Sequence, residues 1–150
     1  MKNLYDAACV SEVKARLARL LSESPRLWGK MNAPQAVAHC AASMDWALGD
    51  SRPPRMFIGR IIGTFIKPLV IRDDEPMRRN SPTSPDLIVA DQRELTKEKE
   101  RLCSQIDRFT RGGPTACTTN PHPFFGRLTP EEWAILMYKH LDHHLRQFGA

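Results

Sequence analysis

Five histidines carry most of the chemistry this chain could do: His39, His122, His140, His143 and His144. Three lie in the stretch Lys139-His140-Leu141-Asp142-His143-His144. On a helix, His140 can share a face with His144 at i,i+4 or with His143 at i,i+3. Advancing about 100° per residue from His140 places Trp133, His144, Met137, Phe148, Leu141 and Leu145 within about 140° of arc. His143 falls about 300° round, beside Lys139, Arg146 and Glu132. His140 and His144 are therefore expected to face the interior, with His143 on the rim and Asp142 on the polar side. Two buried imidazoles side by side need hydrogen bonds and resist protonation. A divalent metal meets both conditions because it binds neutral imidazole; the bland reading is a pair of hydrogen-bonded core histidines.

His39 offers a third ligand. Its helical neighbours Gln35, Ser43 and Trp46 form a mixed stripe, as a pocket wall would, where a plain core face would be more uniformly aliphatic. His122 sits in the Pro-flanked loop Pro121-His122-Pro123-Phe124-Phe125-Gly126 and leads toward the last helix, where it could overhang the site. The reading is thus a metal held by His39, His140 and His144, with Gln35, Ser43, Trp46, His122 and His143 as candidate pocket residues. Bundles build metal sites from facing helices in this way. Three imidazoles leave coordination positions open, the arrangement of a catalytic zinc site. Imidazole suits several metals, with zinc or nickel favoured here.

The elements that must position these residues are helical. Val13, Leu17, Leu20 and Leu21 give a helical stripe over about Ser11–Ser24, with Ser11 as N-cap. Asn32 and Gln35 form a capping box ahead of Ala33–Leu48, which Gly49 ends. Leu95, Leu102, Ile106 and Phe109 mark a helix over about Asp91–Phe109, ended by Gly112-Gly113. Thr129, Pro130 and Glu132 open a last helix running to about Phe148. The long link between the second and third of these holds the apolar run Met56–Ile71 and an irregular stretch, Glu75–Pro85. The run is 16 residues long and broken by Arg60, Lys67 and Pro68, so it is too short and charged to span a bilayer. It suits a covering helix, a dimer surface or an interfacial segment. The expectation is one all-α domain, a four-helix bundle with a long crossover.

Composition narrows the function classes. The chain has 150 residues, enough for one domain with its own core. Its net charge is +5, with basic residues spread along the sequence and no nucleic-acid-binding signature, so a nucleic-acid partner is disfavoured. The four cysteines form no C-x-x-C pair, which argues against a thiolate zinc site. With no signal peptide, the expected location is the cytoplasm, thiols reduced.

Three stretches carry a family likeness: Trp28–Gln35 followed by Ala38-His39-Cys40, His122–Trp133, and Tyr138–Gly149. In these the chain resembles the DinB/YfiT-like superfamily of metalloenzymes, in one of its uncharacterised bacterial branches. That superfamily's pattern is one His on the second helix and H-x-x-x-H on the last, which maps onto His39, His140 and His144. The resemblance implies an up-down-down-up bundle and often a homodimer. It also implies a thiol-dependent transferase or isomerase acting on a small molecule with a low-molecular-weight thiol. A non-catalytic metal-binding stress or interaction protein is the competing expectation.

Overall fold

A computed structural model describes all residues, Met1–Ala150. The chain is all-helical, with five α-helices and one short 3-10 turn. These are α1 (Ala7–Arg19), α2 (Ala33–Leu48), α3 (Phe57–Ile71), α4 (Leu95–Ala116) and α5 (Pro130–Gln147), with the 3-10 turn at Pro85–Leu87. α2 packs along α4 and against α5, α1 packs on α5 and α4, and α3 leans on α5.

Local signals set most boundaries. Asn32 accepts from the Gln35 N–H at 2.9 Å while the Gln35 side chain accepts from the Asn32 N–H at 3.1 Å. Thr129 and Glu132 form the same reciprocal cap on α5. α2 ends on Gly49 at φ 79°, a left-handed stop that a Cβ would strain. The bounds of α1 and α4 differ from the sequence reading, and α1 stops at Arg19, five residues short of the expected Ser24, where Leu20 turns extended. α1 begins four residues early because Asp6, not Ser11, caps it by accepting from the Ala8 N–H at 2.8 Å. α4 begins at Leu95 and continues through Gly112, breaking at Gly113 where φ is 61°. Lys99 also reaches across to the C-terminal end of α1, donating to the carbonyls of Ala18 and Leu20, where a cation is favoured.

One core of 29 buried residues joins the helices, with Trp133, Phe109, Met44, Leu102 and Ile106 among its largest members. Asp142, expected on the polar face, is instead buried at 7 % exposure between two arginines. Arg16 of α1 meets it at 2.6 Å and Arg146 at 2.7 Å, and Arg16 also donates to the Ala150 carbonyl. Lys139 is likewise buried, donating to the Asp73 carbonyl at 2.9 Å. A wheel drawn for one helix assigns these positions to solvent; α1 and the 72–94 segment cover them.

The Met56–Ile71 run is a fifth helix. Its inner side carries Gly59 and Gly63, where a Cβ would stand 2.6 and 1.9 Å from the Phe124 carbonyl oxygen. The glycines thus let α3 lie directly on the 122–126 turn. Its outer side exposes Phe57, Ile58, Ile61, Phe65 and Leu69, each more than half open.

Two stability predictions follow from these contacts. Removing the Asp142 carboxylate as Asp142→Ala takes the main partner from the buried Arg16, which keeps only Glu12 and the Ala150 carbonyl, and should cost about 3 kcal/mol, the low end for a broken buried pair, read from the urea midpoint. Gly63→Ala should lower stability by about 1–3 kcal/mol, with faster proteolysis near α3, because Phe124 is backbone and cannot turn aside.

Candidate metal centre

The middle of α2 and the C-terminal half of α5 meet at three histidines. His39, His140 and His144 bring one ring nitrogen each to within 4.8 Å of one another and could hold a metal ion. His39 Nε2 and His140 Nε2 are 2.9 Å apart. The rings are mutually tilted, with centroids 4.7–4.8 Å apart in all three pairs. His39 is 3 % exposed, while His140 and His144 are half-buried.

Each ring's other nitrogen has an outward partner, and those partners assign the tautomers. His39 Nδ1–H donates to the Leu87 carbonyl at 2.9 Å. Ser43 donates its hydroxyl hydrogen to the Cys40 carbonyl at 2.7 Å, so its oxygen accepts from His140 Nδ1–H at 2.9 Å. The Gln147 side chain donates to the Trp28 carbonyl at 2.8 Å, which turns its amide oxygen toward His144. That oxygen accepts from His144 Nδ1–H at 2.8 Å. All three Nε2 atoms then carry lone pairs. With those tautomers, two of the Nε2 atoms face each other at 2.9 Å with no hydrogen between them, a repulsive contact that a cation would relieve. Outward donation of this kind is the usual second contact of a metal-bound imidazole.

Burial keeps these rings neutral. Desolvation lowers His39, and lowers His140 well below the ordinary imidazole value, with His144 and His39 adding like-charge repulsion. Desolvation lowers His144 to about 3, with His39 contributing. Neutral imidazole is the form that binds metal.

The remaining candidates separate. Ser43 is buried beneath His140. His143 lies on the rim, its Nδ1–H donating to the Met77 carbonyl at 3.3 Å and its ring edge-on to Trp28. Gln35 does not reach the histidines: its side chain serves the α2 cap and bonds the Asp91 carbonyl at 3.3 Å. Trp46 and His122 lie further along the same groove, edge to face at 5.5 Å, with Trp133 on the other side of His122 at 5.4 Å.

Two outer partners lie beyond the sequence reading. Gln147 was legible as an i,i+3 neighbour of His144. Leu87 was not, since a carbonyl in a distant loop carries no side-chain signature. The 72–94 segment that supplies it also covers the histidine end of the groove: Asp73 holds Lys139, Met77 holds His143, Arg79 lies 4.2 Å over Trp28, and Leu87 holds His39.

His122 is neutral for a second reason. Its Nδ1 accepts from the Phe124 and Phe125 backbone N–H groups at 3.1 and 3.2 Å, inside a turn closed by paired His122–Gly126 backbone bonds. Burial lowers it to about 3, with Arg55 adding repulsion. Its folded value lies below the unfolded value of about 6.5, so the unfolded chain binds more protons. The stability this ring contributes is complete above pH about 6.5 and is lost as pH falls from there toward 3. Asn can supply an acceptor in place of Nδ1 without titrating. His122→Asn should therefore flatten the fall in stability between pH 6.5 and 4 by up to about 1.4 kcal/mol per pH unit, measured by urea unfolding of metal-free protein.

No curated protein and no solved structure matches the chain. One family model spans residues 5–150, nearly its whole length, so the chain belongs to the family described as proteins of unknown function, DUF1569.

Proposed function

We propose that this protein binds one divalent metal, zinc or nickel, on His39, His140 and His144, and uses it as a metal-dependent enzyme. The observation that carries the reading is the convergence of three Nε2 lone pairs whose Nδ1–H groups are all engaged outward. A metal bound there would act as a Lewis acid, lowering the pKa of a bound thiol or water or polarising a substrate carbonyl. The protein's own part is to hold the three imidazoles neutral, fix their tautomers through Leu87, Ser43 and Gln147, and leave His140 and His144 partly open to a ligand. An incomplete protein ligand set is the catalytic arrangement for zinc.

The reaction class rests on the likeness to the DinB/YfiT superfamily. On that likeness the five helices are a four-helix, up-down-down-up bundle formed by α1, α2, α4 and α5, with α3 added in the crossover. The activity is a thiol-dependent transfer or isomerisation on a small molecule, and the protein is a homodimer. All four cysteines are free, which suits a reducing cytoplasm. No helix is long and apolar enough to cross a membrane.

A metal-free network would satisfy two of the rings differently: Ser43 would donate to His140 Nδ1, and His140 Nε2–H to His39. Elemental analysis separates the two. Protein purified without chelator should carry about one zinc or nickel per chain, and His140→Ala and His144→Ala should lose it. Gln147→Leu, which removes the outer partner of His144 together with its bond to the Trp28 carbonyl and leaves all three ligands in place, should weaken metal binding about 10–100-fold. Wild-type protein without metal, or His140→Ala with full metal content, would overturn the proposal. Turnover across a panel of low-molecular-weight thiols with electrophilic substrates tests the reaction class, and metal-loaded protein inert across that panel would favour a binding role without catalysis.

A further inference from the structure

We infer that a second, separate site lies two helical turns from the histidines and takes the carboxylate of a small, flat molecule. α2 and α5 run antiparallel: His39 meets His140, and seven residues on along α2 and seven back along α5, Trp46 and Trp133 wall one cleft of about 200 Å³. Seven residues of helix put the two places about 10 Å apart. The other walls include Arg52, Asn120 and Ser51, and no Asp or Glu borders the cleft.

The polar groups here are donors in search of an acceptor. Arg52 is exposed and makes no ion pair, whereas nine of the fourteen other arginines of the chain do, or lie bonded to backbone or stacked on an indole. The Trp133 indole N–H is buried with no partner, an arrangement that costs free energy unless something fills it. His122, wedged between Trp46 and Trp133, has its Nδ1 committed as acceptor, so its proton sits on Nε2, and that N–H bonds nothing in the fold. A guanidinium, an amide and a hydroxyl beside two indoles, with the unpartnered Trp133 N–H and the His122 Nε2–H in the layer behind them, fit an acceptor-rich ligand with one negative charge and a flat apolar body. A single cation matches a carboxylate, and Arg presents it with two parallel donors. A doubly charged phosphate would call for more than one cation.

This inference names the substrate class of the proposed enzyme and leans on that reading for its chemistry. Its binding does not need the metal, and the test exploits that. Benzoate is the probe and benzamide its neutral counterpart, titrated against metal-free and zinc-loaded protein by calorimetry and tryptophan fluorescence. Saturable benzoate binding is expected in both forms, with benzamide at least tenfold weaker. Arg52→Gln should weaken benzoate at least tenfold with circular dichroism and metal content unchanged, and Asn120→Asp, which adds a repelling carboxylate, should do the same. The inference is overturned if benzoate does not saturate, if benzamide binds equally well, or if Arg52→Gln binds like wild type. It is also overturned if binding requires zinc and disappears in His140→Ala, because the carboxylate then sits on the metal. A protein that holds no metal yet binds benzoate through Arg52 would sink the metal proposal and leave this one standing.

Discussion

The antiparallel contact between α2 and α5 is the constraint on which the rest of this structure depends. It brings His39 against His140 and Trp46 opposite Trp133, so one register sets both the histidine cluster and the aromatic cleft. A slip of one turn would separate the ring nitrogens by about 5 Å and dissolve both. The register is held from both ends and from both sides. Caps of the same reciprocal kind start each helix. Gln105 of α4 donates to the Ala41 carbonyl of α2 at 3.1 Å, and the buried Arg16–Asp142 pair ties α1 to α5. Tight interiors tolerate few intermediate positions, so these contacts select one alignment.

Polar bookkeeping explains why the site looks functional rather than merely buried. In an apolar core each imidazole would be a liability, and the fold could have met it by pairing the rings with carboxylates or with one another. Here it orders a carbonyl, a hydroxyl and an amide oxygen around the outside and leaves the inner nitrogens facing one another. Arginine and carboxylate are kept one step away: Asp142, two residues from His140 and His144, is occupied by Arg16 and Arg146. That arrangement leaves the inner nitrogens free of both a competing cation and an added anion.

The connection between α2 and α4 does more than join them. Its helical part lays two glycines on the 122–126 turn, and that turn in turn holds His122 between the indoles. Its irregular part crosses the histidine end of the groove and contributes the Leu87 carbonyl. The outward face of α3, with Phe57, Ile58, Ile61, Phe65 and Leu69, carries five of the nine large hydrophobic side chains the chain leaves exposed; patches of this kind mark places where proteins meet other surfaces.

Helix identity and the inward aim of His140 and His144 were legible in the sequence, because both are local: capping residues act within a turn, and a 3.6-residue period places side chains on a face whatever lies opposite. The bounds of α2, Ala33–Leu48, could be read directly from Asn32, Gln35 and Gly49 for the same reason. The start of α1 could not, since Asp6 and Ser11 are both competent caps and packing against α5 chose between them. Asp142 and Lys139 misled the wheel because a wheel knows one helix, and it took α1 and the 72–94 segment to bury them. Gln35 shared a stripe with His39 but was already spent on its cap. What tertiary structure alone decided is which atoms meet: that His39, already the third imidazole in the sequence reading, comes within 2.9 Å of His140, that its tautomer is set by a carbonyl 48 residues away, and that two tryptophans from different helices wall one cleft. Such contacts close long loops, and no period in the sequence encodes a loop's closing partner.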